Sequence, residues 1–126
     1  MNPVVHFDIP ATNPAKSSKF YQDLFGWNMT EVPQMKYWLI KTTEVDQHTQ
    51  RPTTPGAING GMGKRSDAGD IKQAYFTVEV EDIEATLAKV TKAGGQVIRE
   101  KIDMGQTGQM AVFADFDGNI IGLYHR

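Results

Sequence analysis

The chain of 126 residues has no cysteine. That excludes disulfides, thiolate metal centres and cysteine nucleophiles in one step, and it fits a reducing compartment. No apolar run approaches the ~20 residues of a membrane-spanning helix. The opening MNPVVHFDIP has neither a basic nor a long apolar stretch, so no secretory signal is read in it. Neither sign of charge dominates: 13 Lys and Arg stand against 15 Asp and Glu, a net charge of −2. With no block of like charge, neither a nucleic-acid footprint nor a membrane surface is expected. P-loop, GxGxxG, HExxH and Ser-His-Asp patterns are missing. What is present is a hydrophobic content of 40%, enough to bury a core. The expectation is one cytoplasmic domain, residues 1–126.

Alternation comes first along the chain. Val5, Phe7 and Ile9 point one way, His6 and Asp8 the other, which reads as a strand with a core face and a polar face. Asn13-Pro14 opens a helix, with Asn as cap and Pro at the first helical position. Phe20, Tyr21, Leu24 and Phe25 follow at helical spacing, and Gly26 ends it. Strands are expected at 27–32, 35–42 and 57–63. The parity of 35–42 is open by one residue, which exchanges Tyr37 with Trp38. Residues 44–55, polar and holding two prolines, read as a loop and the segment expected to be most mobile.

After a polar linker, residues 64–70, the pattern restarts. Phe76, Val78 and Val80 alternate with Tyr75, Thr77 and Glu79. Asp82 caps a helix with the stripe Ile83, Leu87, Val90, and Gly94-Gly95 ends it. Strands are expected near 96–101, 109–114 and 119–124, with Asp117-Gly118 as a turn signal. His6 to Tyr75, Asn13 to Asp82 and Gly26 to Gly95 all lie 69 positions apart. The chain is therefore an internal repeat: an N-terminal module, 1–63, and a C-terminal module, 71–126.

The stretches His6-Phe7-Asp8-Ile9, Phe20-Tyr21-Gln22-Asp23-Leu24-Phe25-Gly26-Trp27, Val78-Glu79-Val80-Glu81-Asp82-Ile83, Gly94-Gly95 and Asp115-Phe116-Asp117-Gly118-Asn119 carry a resemblance. Together they resemble the vicinal oxygen chelate superfamily, the glyoxalase/bleomycin-resistance/dioxygenase proteins. The strand GAINGG at 56–61 is similar to that of a small subgroup of mostly unknown function. The resemblance implies an α+β fold: two βαβββ modules forming one curved mixed sheet, a cup or open barrel, with the helices outside.

Metal-dependent members of that superfamily hold one divalent ion through the first and last strands of each module. Carried over position by position, those places fall on His6, Gly60, Tyr75 and Gly122. Glycine has no donor side chain, and tyrosine ligates only as phenolate, from an ordinary pKa of about 10. One strong ligand remains, so no metal and no other cofactor is expected, with rescue by Asp8 or Glu79 left open. The two glycines would leave the cup floor open.

Three functions follow from the resemblance and these residues. The first is a metal-free binder, like the antibiotic-sequestering members, holding a neutral or weakly polar, partly aromatic molecule against His6, Asp8, Tyr75, Thr77 and Tyr124. The second is a glyoxalase-related or dioxygenase-like enzyme with an atypical metal site, or metal-free acid–base catalysis by His6, the best catalytic candidate. The third is an assembly or partner-binding protein with no small ligand. A homodimer is expected, because an open-edged sheet gains from pairing. Trp38 reads as a core or dimer-interface residue, and His48 and His125 as loop and frayed end.

Overall fold

The computed structural model describes residues 1–65 and 71–126; most of the expected linker therefore lies outside the described residues. The elements run β1 (Val4–Ala11), α1 (Pro14–Phe25), β2 (Asn28–Val32), β3 (Tyr37–Lys41), β4 (Asn59–Lys64), β5 (Tyr75–Glu79), α2 (Ile83–Lys92), β6 (Gln96–Asp103), β7 (Gln109–Ala114) and β8 (Ile120–His125). This is the α+β repeat read from the sequence: strand, helix, three strands, twice. No helix among the described residues is long and apolar enough to cross a membrane.

Two compact units divide the chain, His6–Ala74 and Met1–Val5 with Tyr75–Arg126. In the first, β1 runs parallel to β4, and β4–β3 and β3–β2 are antiparallel. In the second, β5 runs parallel to β8, and β8–β7 and β7–β6 are antiparallel. Identical topology in both is what a duplicated module requires. The first five residues join the second unit through the Glu79 N–H, which donates to the Pro3 carbonyl at 2.9 Å.

Both helices form for the reasons the sequence supplies. The Asn13 side chain accepts from the Lys16 N–H at 3.2 Å, Pro14 opens the first turn, and Gly26 takes the left-handed conformation at φ 67°. Asp82 accepts from the Ala85 N–H at 2.9 Å, with Glu84 in the first turn and Lys89 and Lys92 in the last, each sign at its favoured end of the dipole. Asp82→Ala should destabilise the protein by about 0.5–2 kcal/mol, read as a lower midpoint in urea. An unchanged midpoint would mean α2 does not depend on this cap.

Each unit has its own core. Ala11, Met29, Ile40 and Met62 are buried with Phe7, Ile9, Tyr21, Trp27 and Trp38 packed on them. Tyr21 and Trp27 stack with centroids 5.4 Å apart. In the other unit Val80, Ile83, Leu87, Ala111 and Leu123 are buried beside Val78, Val97 and Phe113. Trp38 is thus a core residue, as read. Two apolar expectations are corrected. Phe76, which alternates in step with the buried Val80, is 44% exposed. Of the α1 stripe only Tyr21 turns inward; Phe20, Leu24 and Phe25 are each more than half exposed. The inward side of α1 is a narrow one, built on Tyr21 and the buried Ser18, whose hydroxyl accepts from Gln22 at 2.9 Å.

Two loops owe their shape to one carboxylate each. In the 44–55 segment Asp46 accepts from the His48 and Thr49 N–H groups at 3.0 and 2.8 Å, and Val45 bridges Pro52. Between β7 and β8, Asp115 accepts from the Asn119 side chain and from the N–H groups of Asn119 and Asp117, all at 2.9 Å. The DFDGN stretch is therefore a turn-former. The Asn119 side chain, then its N–H, hold the Asp115 carboxyl below its ordinary pKa; the Thr49 and His48 N–H groups do the same for Asp46. A depressed carboxyl stabilises the fold above its unfolded value and loses that contribution as the pH falls through the folded one. Asp115→Ala should accordingly lower the melting temperature at neutral pH and narrow its gap from wild type below about pH 4. A gap that stays constant with pH would contradict this role.

Candidate functional site

The parallel pairing of β1 with β4 sets His6 beside Asn59, Phe7 beside Gly60 and Asp8 beside Gly61. Residues opposite one another in a ladder share a face. His6, Asp8, Asn59 and Gly61 therefore lie on one side, and Phe7, Gly60 and Met62 on the core side. β3 adds Tyr37 opposite Gly63 and Leu39 opposite Gly61, which settles its parity: Tyr37 faces the His6 side and Trp38 the core.

Tyr37 organises this face. Its ring leans over Gly61, where any side chain would overlap the phenol. There its hydroxyl donates to Asp8 Oδ1 and lies 3.2 Å from His6 Nε2. The second carboxylate oxygen, Asp8 Oδ2, is 3.5 Å from the same nitrogen. The His6 side chain is 34% exposed and that of Asp8 13%, so the cluster is shielded but reachable. Leu39, 48% exposed, presents apolar surface on the same face. Asn59 is committed to the loop: its side-chain oxygen accepts from Thr42 and Thr43 at 2.8 and 3.0 Å.

The second unit repeats the arrangement. Thr77 pairs with Gly122 and Glu79 with Tyr124. A side chain at Gly122 would overlap the Thr77 hydroxyl and come within 3.1 Å of the Tyr75 ring. Thr77 is buried. Tyr124 donates to the Thr107 carbonyl at 2.7 Å and carries the Arg126 guanidinium 6.0 Å from its ring centre. Glu79 accepts from Arg126 at 2.8 Å.

Of the five expected site residues, His6 and Asp8 are brought into one cluster, Tyr75 and Thr77 close over Gly122, and Tyr124 ties down the 105–107 turn. Tyr37 is the member the sequence reading left undecided. Its signal was the pair Tyr37 and Gly61, a long phenol and a position without a side chain, which only the ladder register aligns. Three expectations are corrected. Gly60 is on the core side, against the Phe7 carbonyl and ring, so the empty position on the His6 face is Gly61. Neither Gly61 nor Gly122 leaves open space; neighbouring side chains fill both. His125 is not frayed: it pairs with Gln109, and its Nδ1 lies 3.0 Å from the Val80 carbonyl.

The sequence profile described as the glyoxalase/bleomycin resistance protein/dioxygenase superfamily matches residues 4–123. The chain belongs to this superfamily. A glyoxylase-like domain-containing protein of Didymella fabae is 33% identical over 115 residues, covering 89% of this chain and 84% of the relative. The anthracycline biosynthesis protein DnrV of Streptomyces peucetius is 29% identical over 133 residues. That match covers 95% of this chain but 46% of the relative, so the chain spans under half of that protein's length. Among solved structures, a superfamily member from Vibrio splendidus matches with a TM-score of 0.63 at 15% identity, covering 100% of both chains.

The superfamily's metal positions can be tested against these residues. Of the four, His6 offers an imidazole, Tyr75 could ligate only as phenolate, and Gly60 and Gly122 offer nothing; the space beside Gly61 and Gly122 is taken by Tyr37 and Thr77. Asp8 and Tyr37 satisfy each other. Among the described residues no three His, Cys, Asp or Glu side chains gather as a metal site would need. This donor set does not fit a superfamily-type divalent ion. Two shallow clefts lie elsewhere, one of about 290 Å³ around Pro3, Glu79 and Arg126, the other of about 370 Å³ around Trp38, Lys36 and Lys64.

Proposed function

We propose that this superfamily member binds a neutral or weakly polar, partly aromatic small molecule without a metal ion, on the face that carries His6, Asp8 and Tyr37. The observation that supports it most directly is the Tyr37 phenol seated over Gly61. It fills the space that a side chain at Gly61 would need and joins His6 and Asp8 in a polar anchor. Leu39 beside the anchor supplies the apolar surface on which a flat ring can lie. Among the described residues no Lys or Arg contact to this cluster is seen, so a phosphorylated ligand finds little to hold it there. The Streptomyces relative's name concerns anthracyclines, which are flat polycyclic aromatics, and that agrees with the ligand class.

A thermal-shift panel tests this. Planar uncharged compounds should raise the melting temperature and phosphorylated metabolites should not. Leu39→Asp should abolish the shift, and Lys64→Ala should leave it intact. Hits confined to phosphorylated compounds would place the site elsewhere.

A second reading, metal-free acid–base catalysis at His6, is favoured by the Asp8 carboxylate 3.5 Å from its ring nitrogen. The protein is further proposed to pair with a second copy of itself through Phe20, Leu24 and Phe25, which one short helix leaves exposed. The greater length of the Streptomyces relative leaves room for a second domain of this size, the number that a homodimer reaches with two chains. Light scattering should give twice 14.0 kDa, and Leu24→Asp should return the monomer; a wild-type monomer at micromolar concentration would end this proposal.

A further inference from the structure

Counting protons in the His6 cluster fixes what the site can offer a ligand. Tyr37 has one hydroxyl proton, and it goes to Asp8 Oδ1. The 3.2 Å contact between the Tyr37 oxygen and His6 Nε2 then needs its proton from the imidazole. The ionised Asp8 oxygen 3.5 Å from Nε2 can only accept, and so favours the same assignment. Neutral His6 therefore carries its proton on Nε2 and leaves a lone pair on Nδ1. That atom has no hydrogen-bond partner among the described residues, and the side chain is 34% exposed.

We infer that the site selects for a hydrogen-bond donor: its ligand is a hydroxylated aromatic molecule, a phenol or enol, whose O–H donates to His6 Nδ1, with Asp8 and Tyr37 acting as positioning residues that hold the tautomer. This rests on the reading of the His6 face as the ligand site and narrows it. An ether or ester of the same skeleton brings a second acceptor against the lone pair and loses the bond. Asp8 is the decisive positioning residue. An amide in its place keeps an oxygen for Tyr37 but puts N–H groups where Oδ2 favoured the Nε2 proton, so the tautomer is held less firmly. The site's preference for a donor would weaken with almost no change of shape.

The test uses a matched pair, 2-hydroxyanthraquinone and 2-methoxyanthraquinone, titrated by absorbance, together with ¹⁵N–¹H correlation of the histidine ring. The hydroxy compound should bind about tenfold more tightly than the methoxy compound, as a well-made hydrogen bond allows. His6→Phe should abolish the preference, and Asp8→Asn should weaken it. The nitrogen spectrum of wild type should show the proton on Nε2 and none on Nδ1, and Asp8→Asn should show a smaller share protonated on Nε2. The spectrum of wild type needs no variant to fold. Equal binding of both compounds, or a proton on Nδ1 in wild type, would overturn the inference while leaving the aromatic site standing. Failure of both to bind would overturn the site itself and the inference with it.

Discussion

Gly61→Ala should destabilise the protein more than Gly63→Ala by about 1–3 kcal/mol, the usual cost of forcing atoms into filled space, although both glycines lie on β4 and share a face. An added carbon at Gly61 overlaps the Tyr37 hydroxyl, whereas at Gly63 it would stand 3.8 Å from the Tyr37 ring, an ordinary contact. Gly63→Ala is close to neutral or slightly stabilising, because alanine also restricts the unfolded chain, worth about 0.4–1 kcal/mol. Gly60→Ala belongs with the damaging change for another reason: the new carbon meets the Phe7 backbone oxygen at 2.5 Å, and the backbone of a paired strand cannot swing aside. Urea midpoints of the three variants give the order. Equal midpoints for Gly61→Ala and Gly63→Ala would mean that Tyr37 is not seated over Gly61. In Gly61→Ala the displaced phenol should also release Asp8 and His6, so the preference for the hydroxy compound should go with it.

Met62→Ala separates stability from binding in the opposite sense. Met62 lies between Gly61 and Gly63 but points to the core, fully buried against Ala11, Met29 and Ile40. Truncating a buried methionine removes its apolar contacts and leaves a cavity, at a cost of about 2–5 kcal/mol. The His6 face is on the other side of the strand, so the Nε2-protonated tautomer and the ligand preference should both survive below the melting transition. A folded Met62→Ala protein that had lost the preference would show that the two faces are coupled. A loss of stability below about 1 kcal/mol would show that the site collapses without a cavity.

Much of this architecture is legible in the residues. Period-two alternation around Phe7 and Val78, the caps Asn13 and Asp82 and the stop at Gly26 are local signals, and local physics decides them. The repeat spacing of 69 then carries one module's reading onto the other. What was not legible depends on register between strands. Gly60 and Gly61 look alike in sequence, and only the ladder with β1 puts one in the core and the other under Tyr37. The parity of Tyr37 and Trp38 turned on the same register. The α1 stripe misled because Phe20 and Leu24 repeat at helical spacing as core residues do, while of that stripe only Tyr21 turns inward. The tightness of the His6 cluster could not be read at all, since the phenol arrives from 29 residues beyond Asp8.

The central claim is that the face of His6, Asp8 and Tyr37 binds a flat aromatic molecule with no metal. Calorimetric titration of 2-hydroxyanthraquinone into protein dialysed against EDTA tests it most directly. One-to-one binding is expected, unchanged when Ni²⁺, Zn²⁺, Fe²⁺ or Mn²⁺ is restored and lost in Leu39→Asp. Binding that disappears after EDTA and returns with one equivalent of a divalent ion would contradict it.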